Sequence, residues 1–149
     1  MKKILSITLL SLALFANDKS LEVFESPSCG CCEQWIAYMK KKGYALNVHK
    51  SNDFYKIKQQ FGIKPEYQSC HTAIVAGYAV EGHVPESAVK WLLETKPKEV
   101  IGVSAPGMPQ GSPGMEQGSY EEYPVIVMKK DGSYELFGYF KGEELVRKK

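Results

Sequence analysis

Three of the chain's four cysteines fall within four positions, Cys29, Cys31 and Cys32, directly behind the breaker Ser26-Pro27-Ser28. A chain of 149 residues, 44% of them hydrophobic, can bury enough apolar surface to fold as one domain without staples, so the sulfurs are not needed as scaffolding. A bridge between Cys31 and Cys32 is disfavoured, because consecutive Cα atoms lie ~3.8 Å apart and a disulfide wants about 4.4 to 6.8 Å. The triplet therefore reads as chemistry, with Cys70 as the remaining sulfur.

Periodicity places that chemistry on a strand-to-helix turn. Leu21 to Glu25 alternates as a strand, and Cys32, Trp35, Ile36 and Met39 recur at helical spacing up to a stop at Gly43. Tyr44 to His49 is a second strand. Ser51 or Asn52 caps a helix through Phe54, Ile57 and Phe61, and Thr72–Val75 and Tyr78–Val80 form a hairpin across Ala76-Gly77. Pro85 opens a helix with Ala88, Val89, Leu92 and Leu93 on one face. The order β-α-β-α-β-β-α predicts an α/β, thioredoxin-like domain. Residues 102–118, with five glycines and three prolines, read as an ordered Gly/Pro/Met loop outside the core. Tyr123 to Phe140 reads as an additional C-terminal β-hairpin around Lys130-Asp131-Gly132-Ser133, and Gly142 to Lys149 as a charged tail. The proline-led strand at Tyr123-Pro124 competes with Thr72–Val75 for the sheet centre.

Lys2 and Lys3 ahead of the apolar run Ile4 to Ala16 predict a signal peptide, residues 1–16, leaving residues 17–149 as a single exported domain, in a bacterium periplasmic. The run is shorter than the roughly 20 residues that span a bilayer, so no membrane span is expected after cleavage. Removing residues 1–16 lowers Lys+Arg from 19 to 17, equal to the 17 of Asp+Glu. A basic nucleic-acid footprint is thereby excluded.

Cys29 and Cys32 form C-x-x-C at a helix start, where the dipole and free N–H groups favour thiolate. Two active readings compete, beside a plain structural disulfide. A thiol–disulfide oxidoreductase would use Cys29 and Cys32 and leave Cys31 as a source of scrambling. A soft-metal site uses every sulfur. Cys31 and Cys32 point about 100° apart on a helix, which suits bridging of different ions. Four thiolates around one Cu(I) leave three uncompensated charges, whereas several Cu(I) ions neutralise them. A polynuclear Cu(I) cluster on Cys29, Cys31, Cys32 and Cys70 is the expectation. His71, on the far face of a regular strand, His83 in Gly-His-Val-Pro, and Met108 and Met115 in a repeated Pro-Gly-Met are candidates for additional metal or supporting contacts. His49 has no partner nearby and reads as structural.

Ser26-Pro27-Ser28-Cys29-Gly30-Cys31-Cys32 with Trp35, Ser69-Cys70-His71-Thr72-Ala73, Glu81-Gly82-His83-Val84-Pro85 and the two Pro-Gly-Met motifs together resemble the CopG-type periplasmic copper-resistance family. The resemblance runs from about Leu21 to the last hairpin. It implies a thioredoxin-like fold, copper bound by the four cysteines, and a task in periplasmic copper handling that includes a change of copper's redox state. One departure is Tyr38, at a position where the family pattern carries a histidine. A copper chaperone, passing the ion through the Met loop to copper-export or copper-transfer proteins, is a further reading.

Overall fold

The computed structural model describes residues 19–148, so the leader expected over residues 1–16 lies outside the described residues. β1 (Ser20–Glu25) turns Leu21, Val23 and Glu25 to the core. α1 (Gly30–Lys41) buries Cys32, Trp35, Ile36 and Met39, spaced as one helical face. Gly43, at φ +87°, ends it in the left-handed region, and β2 (Ala45–Lys50) returns parallel to β1. A short α2 (Lys56–Gln60) and a 3-10 turn (Pro65–Tyr67) lead to β3 (Thr72–Val75) and β4 (Tyr78–Glu81). Ala76 and Gly77 between them both take positive φ, as the tight two-residue hairpin requires. α3 (Glu86–Thr95) buries Ala88, Val89 and Leu92, with Pro85 as its cap just outside the first turn.

β5 (Val100–Ser104), β6 (Tyr123–Lys129), β7 (Tyr134–Lys141) and β8 (Glu144–Arg147) complete one sheet of order β2-β1-β3-β4-β5-β6-β7-β8. The fold is thus mixed α/β, with a single eight-stranded sheet and few helices among the described residues. β3, and not the proline-led β6, lies antiparallel beside β1, which decides between the two hairpins. Ala79 and Val80, neighbours on β4, belong to two different apolar clusters, the larger packed with α1 and α3. No helix among the described residues is long and apolar enough to cross a membrane.

Two segments depart from the expected layout. Gly102 to Ser104, expected in the Gly/Pro/Met loop, form the end of β5 and pair parallel with β4. Glycine belongs to this strand because a Cβ at 102 would come within 1.8 Å of the Ala79 carbonyl oxygen. The loop therefore begins at Ala105, and Ala105 and Ser112 are buried, so part of 102–118 belongs to the core after all. Glu144–Arg147, expected in a charged tail, is the edge strand β8. Leu145 occupies the space that Gly138 leaves beside β7.

Candidate metal centre

The helix signal and the cysteine spacing meet at one point: Cys29 is the cap residue of α1, and Cys31 and Cys32 fall in its first turn. Cys29 and Cys32 are joined as a disulfide with Cα atoms 5.4 Å apart, and Cys31 and Cys70 are free. Cys70 reaches the same place from far along the chain because β3, which it precedes, pairs with β1. Cys31 Sγ lies 3.6 Å from Cys29 Sγ and 3.9 Å from Cys70 Sγ, and Cys32 Sγ lies 3.6 Å from Cys70 Sγ. All four sulfurs sit within 4.8 Å of one another. Burial, reinforced by Cys31, pushes the Cys70 thiol up to about 12. A cation bound there must displace the proton, so loading releases acid.

Cys70 and His71 stand ahead of β3 rather than in it, and the strand alternation expected to separate them does not apply. His71 Nδ1 lies 3.3 Å from Cys70 Sγ, and His83 Nε2 lies 3.1 Å from it on the other side. Cys70, His71 and His83 thus form a second group of donors sharing one sulfur. Both rings are buried, and burial lowers their pKa values, His71 furthest; His83 and Lys58 lower His71 further, while the Pro113 carbonyl partly offsets the shift at His83. His49 lies apart from both groups, pairing with Glu22 at 2.5 Å and stacking on Phe24.

The Cys70–His71 step is held by a buried network that the sequence reading did not single out. Glu81 accepts hydrogen bonds from Lys58 Nζ at 2.5 Å, from the Thr72 hydroxyl at 2.6 Å and from the Ser69 N–H at 2.7 Å. Its partners flank Cys70 and His71 on both sides. Gly82 donates its N–H to the His71 carbonyl, and a Cβ there would meet Ser69 Oγ at 2.3 Å. The available signal was an acidic residue closing an otherwise apolar strand, Tyr78-Ala79-Val80-Glu81.

The loop after β5 lies over the start of α1. The Gly107 N–H reaches the Gln68 carbonyl, Ser69 Oγ donates to the Gly107 carbonyl, and the His83 Nδ1–H donates to the Pro113 carbonyl at 2.8 Å. Gly114, at φ +85°, sits so close to α1 that a Cβ would meet Trp35 N at 2.6 Å. Between loop and helix opens a cleft of about 550 Å³, where Cys31 and Gln34 face Met108, Gln110, Met115 and Gln117. Met108 is half exposed, so it does not act as buried packing. α1 is fixed from the other side: Trp35 Nε1 donates to the Val84 carbonyl, and Tyr38 Oη accepts the Glu86 N–H at the start of α3. The residue at the departing position is committed to helix packing.

Residues 67–115 match a protein family described as "Protein of unknown function, DUF411". That span holds Cys70, His71, His83, Met108 and Met115 but stops short of the triplet. Two solved structures described as copper resistance protein copG, forms 1 and 2, are each 32% identical to this chain with a TM-score of 0.76. Form 2 aligns over 81% of this chain and 97% of its own, and form 1 over 83% and 98%. No curated protein matches.

Proposed function

Because the chain belongs to the CopG copper-resistance family, we propose that it is a periplasmic Cu(I)-binding protein whose cysteines 29, 31, 32 and 70 hold a polynuclear thiolate cluster. The carrying observation is the convergence of four sulfurs from two distant segments within 4.8 Å. The donor set suits the ion, since thiolates are soft and select Cu(I). Several ions rather than one follow from charge, because each added Cu(I) cancels a thiolate that burial makes costly. His71, His83, Met108 and Met115 then serve as additional ligands or contacts at its edge. Export through residues 1–16 puts the site where copper is met outside the cytoplasm. We read β1 to α3 as the thioredoxin-like part, supported by the strand order β2-β1-β3-β4 with β1 and β2 parallel, and β6–β7 as its C-terminal addition.

A change of copper's redox state is chemically available to the same residues. Oxidation of the Cys29 and Cys32 thiols to their disulfide releases two protons and two electrons, and these reduce two Cu(II) to two Cu(I). The Met-lined cleft over Cys31 gives an exit toward copper-export or copper-transfer partners.

Anaerobic Cu(I) titration of the reduced protein, with metal analysis and sulfur-edge absorption, tests the reading. Several Cu(I) per chain are expected, with a sharp loss in Cys31→Ser and in Cys70→Ser. One Cu(I) per chain, or wild-type binding by both variants, overturns it. A second reading, thiol–disulfide exchange, is favoured by the closed Cys29–Cys32 bond, each of whose sulfurs faces a free thiol at 3.6 Å. Insulin reduction that survives in the Cys31→Ser/Cys70→Ser double variant supports that second reading instead.

A further inference from the structure

When Cys29 and Cys32 are joined, half of the thiolate set is withdrawn, yet the donors nearest to Cys70 remain. These are nitrogens: His83 Nε2 at 3.1 Å and His71 Nδ1 at 3.3 Å, against 3.6 and 3.9 Å for the sulfurs of Cys32 and Cys31. We infer that Cys70, His71 and His83 form a second metal site, which holds one divalent ion, Cu(II), while the Cys29–Cys32 disulfide is closed. The identity of the ion rests on the copper reading above; the site itself rests on the geometry.

The tautomer of His83 is fixed by its surroundings. The Pro113 carbonyl has no proton to give, so Nδ1 carries the hydrogen and the lone pair of Nε2 faces Cys70. This is the usual arrangement of a ligating histidine, whose second nitrogen donates to a carbonyl that orients the ring.

His71 is fully buried, and its Nε2 has no hydrogen-bond partner whichever nitrogen carries the proton. A polar ring left so is costly in a metal-free core, and a metal–nitrogen bond at Nδ1 offsets that cost. The spacing also fits. A tetrahedral ion with bonds of about 2.0 Å to nitrogen and 2.3 Å to sulfur sets its donors ~3.5 Å apart, within a few tenths of an ångström of the distances present. Two imidazoles and one thiolate are a donor set that accepts Cu(II). Binding moves no electron: the Cys70 S–H loses its proton to solvent and its sulfur bonds the ion. The closed or open state of Cys29–Cys32 thus selects which valence of copper the protein holds, with Cys70 common to both sites.

Co(II) is the probe, being redox-inert toward thiols. It is added without oxygen to full-length mature protein verified to carry two free thiols and one disulfide. One Co(II) per chain with a thiolate charge-transfer band and four-coordinate ligand-field bands is expected. Both bands should persist in Cys31→Ser and vanish in His83→Gln, with affinity down more than about 100-fold, beyond what an outer-shell change costs. His71→Gln should behave likewise, and near-ultraviolet circular dichroism of His83→Gln checks that the fold is intact. Cu(II) bound to the disulfide form should show a thiolate-to-copper band and an electron paramagnetic resonance signal that disappear in the same variants. Retention of the Co(II) bands in folded His83→Gln, or their loss only in Cys31→Ser, overturns the site. Cu(I) stoichiometry of the reduced His83→Gln protein separates the two readings: several Cu(I) with no Co(II) site in that variant is the expected result. If wild type binds Co(II) as described but takes up only one Cu(I), the cluster fails and this site stands.

Discussion

His83 donates its Nδ1–H to the Pro113 carbonyl at 2.8 Å while its Nε2 faces Cys70 Sγ at 3.1 Å, so a single imidazole joins the methionine loop to the sulfurs. The neighbouring Gly114 supplies the loop's second fixed point, against the Trp35 backbone. Gly114→Ala places a Cβ 2.6 Å from a backbone nitrogen at φ +85°, and neither that nitrogen nor the left-handed backbone can yield cheaply. The loop should lift from α1, with a loss of at least about 1 kcal/mol in urea denaturation and faster proteolysis between residues 105 and 118. A variant as stable and as resistant as wild type refutes the latch.

Met108 and Met115 line the cleft over Cys31, and neither sits among the sulfurs. Their joint replacement by alanine should therefore leave Cu(I) capacity near that of wild type and slow copper transfer to an acceptor, because thioethers offer soft, weakly held stations on the way out. Stopped-flow transfer to a Cu(I) chelator measures the rate, and equilibrium titration measures the capacity. Unchanged transfer kinetics remove the loop from the mechanism.

What could be read in advance follows the range of the interactions. Local signals placed α1 correctly: Trp35 and Met39 mark its buried face, Gly43 stops it, and the triplet sits at its start. Ala76-Gly77 marked the β3–β4 turn for the same reason. Gly102 misled because glycine in a strand looks like a breaker, and the contact that requires it, with Ala79 on β4, is between strands. β8 was hidden by its charges, since an exposed edge strand has no apolar alternation to show. At the site, Cys70 could be assigned to the triplet by counting sulfurs, but the meeting of His71 with Cys70 depends on an irregular step ahead of β3. That step is held by Glu81 and Lys58, and no spacing rule links residues 58 and 81.

Lys58 and Glu81 are both buried, and their pair is completed by Thr72 and Ser69. Burial raises the Glu81 pKa, opposed by Lys58 and the hydrogen bonds. Lys58→Met strips the counter-charge from a carboxylate that cannot reach water, which should cost about 3–5 kcal/mol. Lys58→Met/Glu81→Gln should recover part of that loss, since no charge is then left alone. Denaturant unfolding of the metal-free proteins gives both numbers. A single variant within 1 kcal/mol of wild type would show that the pair does not hold the Cys70 segment, a threshold set well below the usual cost of breaking a buried pair, roughly 3 kcal/mol.

Glu25 ends β1 on its core face, fully buried, with no hydrogen-bond partner for either oxygen and the Lys50 ammonium 3.6 Å away. Burial first, then Glu33, raises its pKa to about 7, against a partial opposing pull from Lys50. Below the ordinary value of 4.5 the folded and unfolded chains both hold the proton. Between 4.5 and about 7 the unfolded chain has lost it and the folded chain has not, so each step up in pH favours unfolding. Above about 7 both are ionised and the loss is complete. Glu25→Gln removes this one contribution, and the stability difference between variant and wild type should grow across that window to about 1–3 kcal/mol in the variant's favour. The subtraction matters because neutral buried His71 and His83 work the other way, adding stability as pH rises toward 6.5. Urea denaturation of both proteins at pH 4.5, 6 and 8 reads the difference directly. A constant offset across the three would mean that Glu25 is already ionised in the folded chain at low pH, with Lys50 outweighing its burial.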